Sequence, residues 1–297
     1  MYPWLTSSFN ALTVRAIDKK LHHGLILQGI EGIGKAEFAD EFALFLLCQQ
    51  KTAQGACGQC QSCKLNAAGS HPDLFKVEKE KSQIAVDQIR EAIGALNKTA
   101  QLGGSKVLIV FGADDMNVAS SNALLKTLEE PTLDTTILLV TDQPQRLLPT
   151  ILSRCEKVPL HAPAETDAID WLQQQGLQDN LLQTLQICAG APLKAKMLLE
   201  APDNLQYDDF CQQIQRLSKG EVSGLQLANQ WQNDAESVVN WLQFWLKQNS
   251  TQPQSSMLWQ AAQQCIAVKA QLQHTGINKS NLLFSVLERI KPLVTHF

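Results

Sequence analysis

Three cysteines fall within seven residues, Cys57-Gly58-Gln59-Cys60-Gln61-Ser62-Cys63, and Cys48 lies nine residues upstream of the first. Thiols at this spacing form one knuckle, and a fourth thiolate from the end of a preceding helix completes a tetrahedral zinc site. Such a closed set leaves no open position for catalysis, so the expected role is structural: it anchors a loop inserted between a helix and a strand. Two other readings stay open at this point. An iron–sulfur cluster also takes thiolates, although the further cysteine followed by proline is missing after Cys63. His71, beside Pro72, offers an imidazole in place of Cys48 as the fourth ligand.

A second chemical pattern is Gly29-Ile30-Glu31-Gly32-Ile33-Gly34-Lys35-Ala36, placed after an apolar run and before a helical pattern. That context suits a phosphate-binding loop: Gly29, Gly32 and Gly34 let backbone N–H groups curl around phosphate, and Lys35 reaches the β- and γ-phosphates. Two parts are missing. The position after the lysine normally carries a Ser or Thr hydroxyl for Mg²⁺, and here it is Ala36. The strand that should end in a second Mg²⁺-supporting carboxylate runs instead into Phe111-Gly112. Asp114 and Asp115 follow shortly and read as solvated residues at a helix start. The pattern is that of a decayed nucleotide loop, without Mg²⁺-dependent hydrolysis by this chain alone. A plain glycine-containing turn, or an unconventional Mg²⁺ site near Asp114 and Asp115, is the competing reading.

These groups need a scaffold, and the first half of the chain supplies one. Gly24–Gln28, Leu74–Val77, Lys106–Phe111 and Thr136–Val140 are apolar, β-branched runs expected as buried strands. Lys35–Cys48, Val86–Leu96 and Asn122–Glu130 carry helical periodicity, the last halted by Pro131. Alternating strands and helices predict an α/β fold with a mostly parallel sheet. Val158–Ala164 reads as a linker, and Glu165–Leu199 as a helical unit broken at Gly190-Ala191-Pro192. From Tyr207 onward only helical patterns remain, two of them separated by the polar segment Gln248–Ser256. Trp231, Trp241, Trp245 and Trp259 are expected in the core of this all-α region rather than as stacking platforms for bases.

A net charge of −4 over 297 residues gives no general attraction to nucleic acid or to an anionic membrane. Ala43–Leu47, the most apolar run, is far below the roughly 20 residues of a bilayer span. The start of the sequence has no basic region leading into an apolar one, so a cytoplasmic protein without a secretion signal is expected. The chain's length favours two or three domains.

Several strings occur together in a familiar order: Tyr2-Pro3-Trp4-Leu5, the glycine loop, the four cysteines and Ser70-His71-Pro72-Asp73. They continue with Leu102-Gly103-Gly104-Ser105-Lys106-Val107, Asn122-Ala123-Leu124-Leu125-Lys126-Thr127-Leu128-Glu129-Glu130-Pro131 and Leu152-Ser153-Arg154-Cys155. The sequence resembles the delta prime clamp-loader subunits of the AAA+ class, strongly over residues 1 to about 200. Its gamma or tau motor relatives share several of these strings but keep an intact loop hydroxyl and an Asp-Glu pair at the sheet edge, both absent here. The resemblance implies an AAA+ nucleotide-fold domain over 1–163 with a zinc insertion over about 48–71. A helical lid over 164–205 and an all-helical collar over 206–297 follow. It implies a hetero-pentamer with gamma or tau and delta subunits, which acts on a sliding clamp and primed DNA. It implies that Arg154 projects into a neighbour's ATP site, a position where spacing alone would suggest an arginine paired with a surface carboxylate. Lys194 matches a phosphate-sensing lid position or a solvated helix charge, and Thr141 a polar sensor or a strand-end cap.

Overall fold

The structure is a computed structural model that describes the chain apart from residues 81, 103, 201–206, 249–254, 273–275 and 295–297, and the side chains of 255, 256 and 294. The expected lid–collar boundary at 205/206 and most of the polar segment 248–256 lie outside the described residues. Two compact units emerge, one of residues 1–171 with 191–194, the other of residues 172–190 with 195–297.

The first unit is built on a five-stranded parallel sheet of β1 (Gly24–Gln28), β2 (Leu74–Val77), β3 (Lys106–Phe111), β4 (Thr135–Thr141) and β5 (Glu156–Pro159), in the order β2-β3-β4-β1-β5. The central strands are covered on both faces and apolar in their middles, where Leu25 to Leu27, Val107 to Val110 and Ile137 to Leu139 have no exposed surface. Helices α1 (Thr6–Ile17), α2 (Lys35–Leu47), α3 (Gln61–Ala67), α4 (Val86–Leu96), α5 (Val118–Glu129) and α6 (Pro149–Leu152) complete this unit. Alternate strand residues Ile26, Leu108, Val110, Ile137 and Leu139 pack with Ile89, Leu96, Leu124 and Leu128 of α4 and α5. Phe38, Phe42 and Phe45 of α2 receive Phe9 of α1 edge-on, with ring centroids 5.9 to 6.2 Å apart.

The expected bounds of two elements need correction. Val158–Ala164 is not all linker, because Val158 and Pro159 belong to β5, and Leu160 is buried and donates its N–H to Gln28 at 2.8 Å. This edge strand is only four residues long and half charged, so apolar continuity does not reveal it. Helix α5 begins at Val118, four residues before the periodic signal, because the Asn117 side chain caps it by accepting the Ser120 N–H at 2.9 Å. Among the residues of the familiar strings, Lys106 is buried for a structural reason. Its ammonium donates to the Leu96 carbonyl at 2.6 Å, the Lys98 carbonyl at 3.1 Å and Thr132 Oγ1 at 2.8 Å, closing the C-terminal end of α4.

The second unit is helical. Helix α7 (Glu165–Gln174) ends in it and α8 (Leu181–Ile187) lies within it. Helix α9 (Pro192–Glu200) follows, then α10 (Tyr207–Ser218), α11 (Gly224–Gln230), α12 (Ala235–Gln248), α13 (Ser255–Leu272) and α14 (Lys279–Val294). Its core gathers Phe210, Trp231, Trp241 and Leu242 with Leu283, Val286, Leu287 and Ile290, the apolar face of α14. Trp231 and Trp241 are core residues as expected, and Trp245 packs at the edge. Trp259 is 62% exposed and is not core, since its place on α13 faces away from the residues that bury Leu258 and Ala261. No helix of the described residues is long and apolar enough to cross a membrane.

Candidate functional site

The four cysteines converge. Their sulfurs all lie within 4.8 Å of one another, with Cys48 to Cys60 and Cys57 to Cys63 each at 4.0 Å. Four thiolates at the usual Zn–S length of about 2.3 Å around a tetrahedral centre would be about 3.8 Å apart, so the cluster fits zinc. Backbone supports it. Cys48 leaves α2 in extended conformation, and its sulfur accepts the N–H groups of Cys57 at 3.3 Å and Gln50 at 3.4 Å. Gly58 turns left-handed inside the knuckle, and the Cys60 sulfur caps α3 by accepting the Cys63 N–H at 3.4 Å. Burial raises the Cys60 thiol pKa, but the N–H donors of Cys63 and Gln49 and the neighbouring thiols outweigh it and hold it at about 6. Burial, then Cys60 and Cys48, pushes Cys63 up to about 12. A cation bound by all four sulfurs would have to displace the protons of those thiols still protonated.

His71 is not part of this set. Its Nδ1 accepts the Asp73 N–H at 3.1 Å. Ser62 Oγ donates its one hydrogen to the Leu47 carbonyl at 2.7 Å, so the 2.5 Å contact between Ser62 Oγ and His71 Nε2 requires the imidazole to donate. Both ring nitrogens are thus committed, in the neutral Nε2–H tautomer, and burial lowers the pKa against the opposing charge of Asp73. The Asp73 carboxylate in turn accepts the N–H groups of Gln101 at 2.8 Å and Leu102 at 3.1 Å. His71 latches the cysteine module to the sheet.

The glycine loop joins β1 to α2 as the spacing requires, and the protein's own groups fill its surroundings. Gly34, at φ +91°, lies under the Tyr2 ring, which a Cβ there would meet at 2.3 Å. Tyr2 stacks on Trp4 at 5.1 Å, Trp171 meets both edge-on, and Trp4 Nε1 donates to the Ile33 carbonyl at 2.9 Å. Gly32, at φ +81°, is approached by Lys194, whose Cβ would be 2.8 Å from an added methyl. Gly29 passes beneath the Leu160 carbonyl. Lys35 is buried; its ammonium donates to the Ile30 carbonyl at 2.6 Å and is paired with Asp142. Ala36 follows, the second residue of α2, and Gly34 gives that helix no side-chain cap. The Lys194 ammonium lies 2.7 Å from Glu31 Oε2 of the loop.

At the neighbouring sheet edge, Gly112 turns left-handed after β3 and a short 3-10 turn, Ala113–Asp115, follows. Asp114 and Asp115 are not the solvated helix-start residues expected. Thr141 Oγ1 donates to Asp114 Oδ1 at 2.6 Å and accepts the Gln143 N–H at 3.1 Å, and Arg146 lies 4.0 Å from Asp114. Asp115 is paired with Lys79 at 2.7 Å. The left-handed Gly112 folds this turn back onto β4 and keeps both carboxylates close to the protein. Thr141 therefore ties the end of β4 to the turn after β3.

Arg154 sits in the turn between α6 and β5. Its Nε donates to Glu129 Oε1 at 2.7 Å and Nη2 lies 2.6 Å from the same oxygen, while Nη1 donates to the Thr150 carbonyl at 3.0 Å and to Ser153 Oγ at 3.3 Å. The side chain is 35% exposed. Cys155, next in sequence, is buried in the sheet core and pins the turn.

A family model described as DNA polymerase III, delta subunit, matches residues 5–164. The DNA polymerase III delta prime subunit of Pseudomonas aeruginosa is 40% identical over 237 residues, 78% of this chain and 71% of that protein. The chain belongs to the DNA polymerase III delta prime family. The Escherichia coli delta prime subunit is 39% identical over 217 residues, 72% of this chain and 65% of its own length. That of Bacillus subtilis is 35% identical over 173 residues, 58% of this chain and 50% of its own. The fold is shared with a crystal structure of a DNA polymerase III gamma-subunit-related protein from Thermotoga maritima, at a TM-score of 0.55 and 21% identity, covering 96% of this chain and 99% of that one.

In this member of the delta prime family, Asp142, Glu129 and, as a loop contact, Tyr2 take up their roles only in the fold. Asp142 had one signal, a carboxylate directly after an apolar strand at the edge where the loop begins. The β1–β4 register, which sets Gln28 beside Thr141, turns that signal into a contact. Glu129 and Tyr2 carry no such signal, since each meets its partner only in the folded chain.

Proposed function

We propose that this chain is a non-hydrolysing AAA+ stator of a clamp loader. It assembles with gamma or tau motor subunits and delta, supplies Arg154 to a neighbouring motor's ATP site, and helps load a sliding clamp onto primed DNA. Lys35 carries the first part of the reading. In an active loop this ammonium meets the β- and γ-phosphates; here Asp142 and the Ile30 carbonyl already hold it. Ala36 offers Mg²⁺ no hydroxyl, and β3 ends without a carboxylate. A self-sufficient ATPase would draw on Asp114 and Asp115, which are engaged by Thr141 and Lys79. What such a chain retains for phosphoryl transfer is a permanently charged, forked guanidinium on its surface, suited to stabilising charge in another subunit's site.

Three domains serve this role: the nucleotide-fold domain over 1–163, the lid over 164–205 and the collar over 206–297. Zinc held by Cys48, Cys57, Cys60 and Cys63 is structural and ties the end of α2 to α3. With a net charge of −4, contact with DNA comes through the assembly, in the cytoplasm, rather than from this chain alone. Two measurements test the reading together: ATP turnover by the isolated chain, and gel filtration with purified motor and delta subunits. Background turnover and a stoichiometric complex are expected. Turnover by the isolated chain that disappears in Lys35→Ala, or a failure to form the complex, contradicts the reading.

A further inference from the structure

The geometry points to Glu129 as the positioning residue for Arg154, an inference that rests on the proposed role of that arginine. Glu129 is the last residue of α5, and Glu130 leaves the helix with a non-helical backbone. Its Oε1 faces both Nε and Nη2 of Arg154, while Nη1 is taken by the Thr150 carbonyl and Ser153 Oγ. The guanidinium plane is therefore fixed on two sides, by a helix end and by the turn that carries it. A long arginine side chain without such partners samples many rotamers, and a finger that must meet a transferring phosphoryl group loses rate with small misplacement. Both side chains are about a third or more exposed, at 35% and 48%, and an ion pair that open contributes little to folding. Its consequence lies in where the charge is held. The hydrogen bonds that hold the plane come from Nε and Nη1, while Nη2 is close to Oε1 through the ion pair and is the arm of the fork that can turn to an incoming anion.

The experiment is steady-state ATP turnover of the reconstituted clamp loader, with clamp and primed DNA. It compares native chain, Glu129→Ala, Glu129→Gln, Arg154→Ala and the Glu129→Ala/Arg154→Ala double variant. Assembly of each is confirmed by gel filtration and folding by its melting temperature. Glu129→Ala is expected to lower kcat on the order of tenfold, with the KM for ATP changed less than about twofold, because the loss is one of aim rather than of binding. Glu129→Gln keeps an oxygen for Nε and should restore part of that loss. The double variant should turn over no more slowly than Arg154→Ala, as two residues acting through one group are not additive. Native turnover in Glu129→Ala beside a deficient Arg154→Ala overturns the positioning role and leaves the arginine's role standing. A further loss on adding Glu129→Ala to Arg154→Ala also overturns it. Native turnover in Arg154→Ala overturns both.

Discussion

His71 shows how one side chain can settle two questions. Because its nitrogens are spent on Ser62 and the Asp73 N–H, the fourth place in the cysteine cluster falls to Cys48, and the imidazole is fixed as neutral. Burial lowers its pKa below the ordinary 6.5, so the unfolded chain binds a proton that the folded chain resists. The stability this gives is complete above the unfolded value and is lost as pH falls from there toward the lower folded one. Thermal melts of the native chain between about pH 7.5 and about pH 5.5 should therefore steepen on the acid side relative to His71→Gln. Parallel curves for the two would show that His71 does not carry the linkage. At this scale the sequence was legible where chemistry is local. Three cysteines in a knuckle, and a lysine after glycines, declare themselves by spacing. The partners of Lys35 and Arg154 do not, because Asp142 and Glu129 lie far along the chain and meet them only through strand register and helix length.

At the scale of elements, parallel pairing explains both the successes and the misses. Strands β1, β3 and β4 are buried on both faces and carry apolar runs through their middles, whereas β5 is a charged edge that no run reveals. The start of α5 was hidden because its first turn, Val118-Ala119-Ser120-Ser121, depends on the Asn117 cap and not on periodicity. The cysteine module joins the end of α2 to α3 and is held by the Ser62–His71 latch and by N–H donors to sulfur. The native chain should contain one zinc per molecule by atomic absorption. Chelation or Cys57→Ser should speed amide hydrogen exchange over α3 and the knuckle while β3 and β4 stay protected. Unchanged exchange in the knuckle after metal removal would contradict a structural role for zinc.

Across the whole molecule, residues are placed as if the nucleotide fold were kept and its chemistry handed away. Gly29, Gly32 and Gly34 are still required, but by Leu160, Lys194 and Tyr2 within this chain. Lys35 answers to a carboxylate of the protein itself, and Thr141 to Asp114. Arg154 lies on a turn pinned at Cys155, with its Nη1 donating to the Thr150 carbonyl. The helical second unit was legible as helix because its faces repeat every three to four residues, but Trp259 was misplaced because a tryptophan's composition does not say which side of a helix it occupies. If catalysis at a motor's ATP site needs this chain's arginine, the ATP turnover that the chain elicits from purified motor and delta subunits with clamp and primed DNA will differ between native and Arg154→Ala. Both versions should assemble and only the native chain should stimulate turnover, the variant losing at least about tenfold, with about 10³ to 10⁵ as the upper guide that trans-acting arginines set. Equal stimulation by an assembled Arg154→Ala chain would contradict that need.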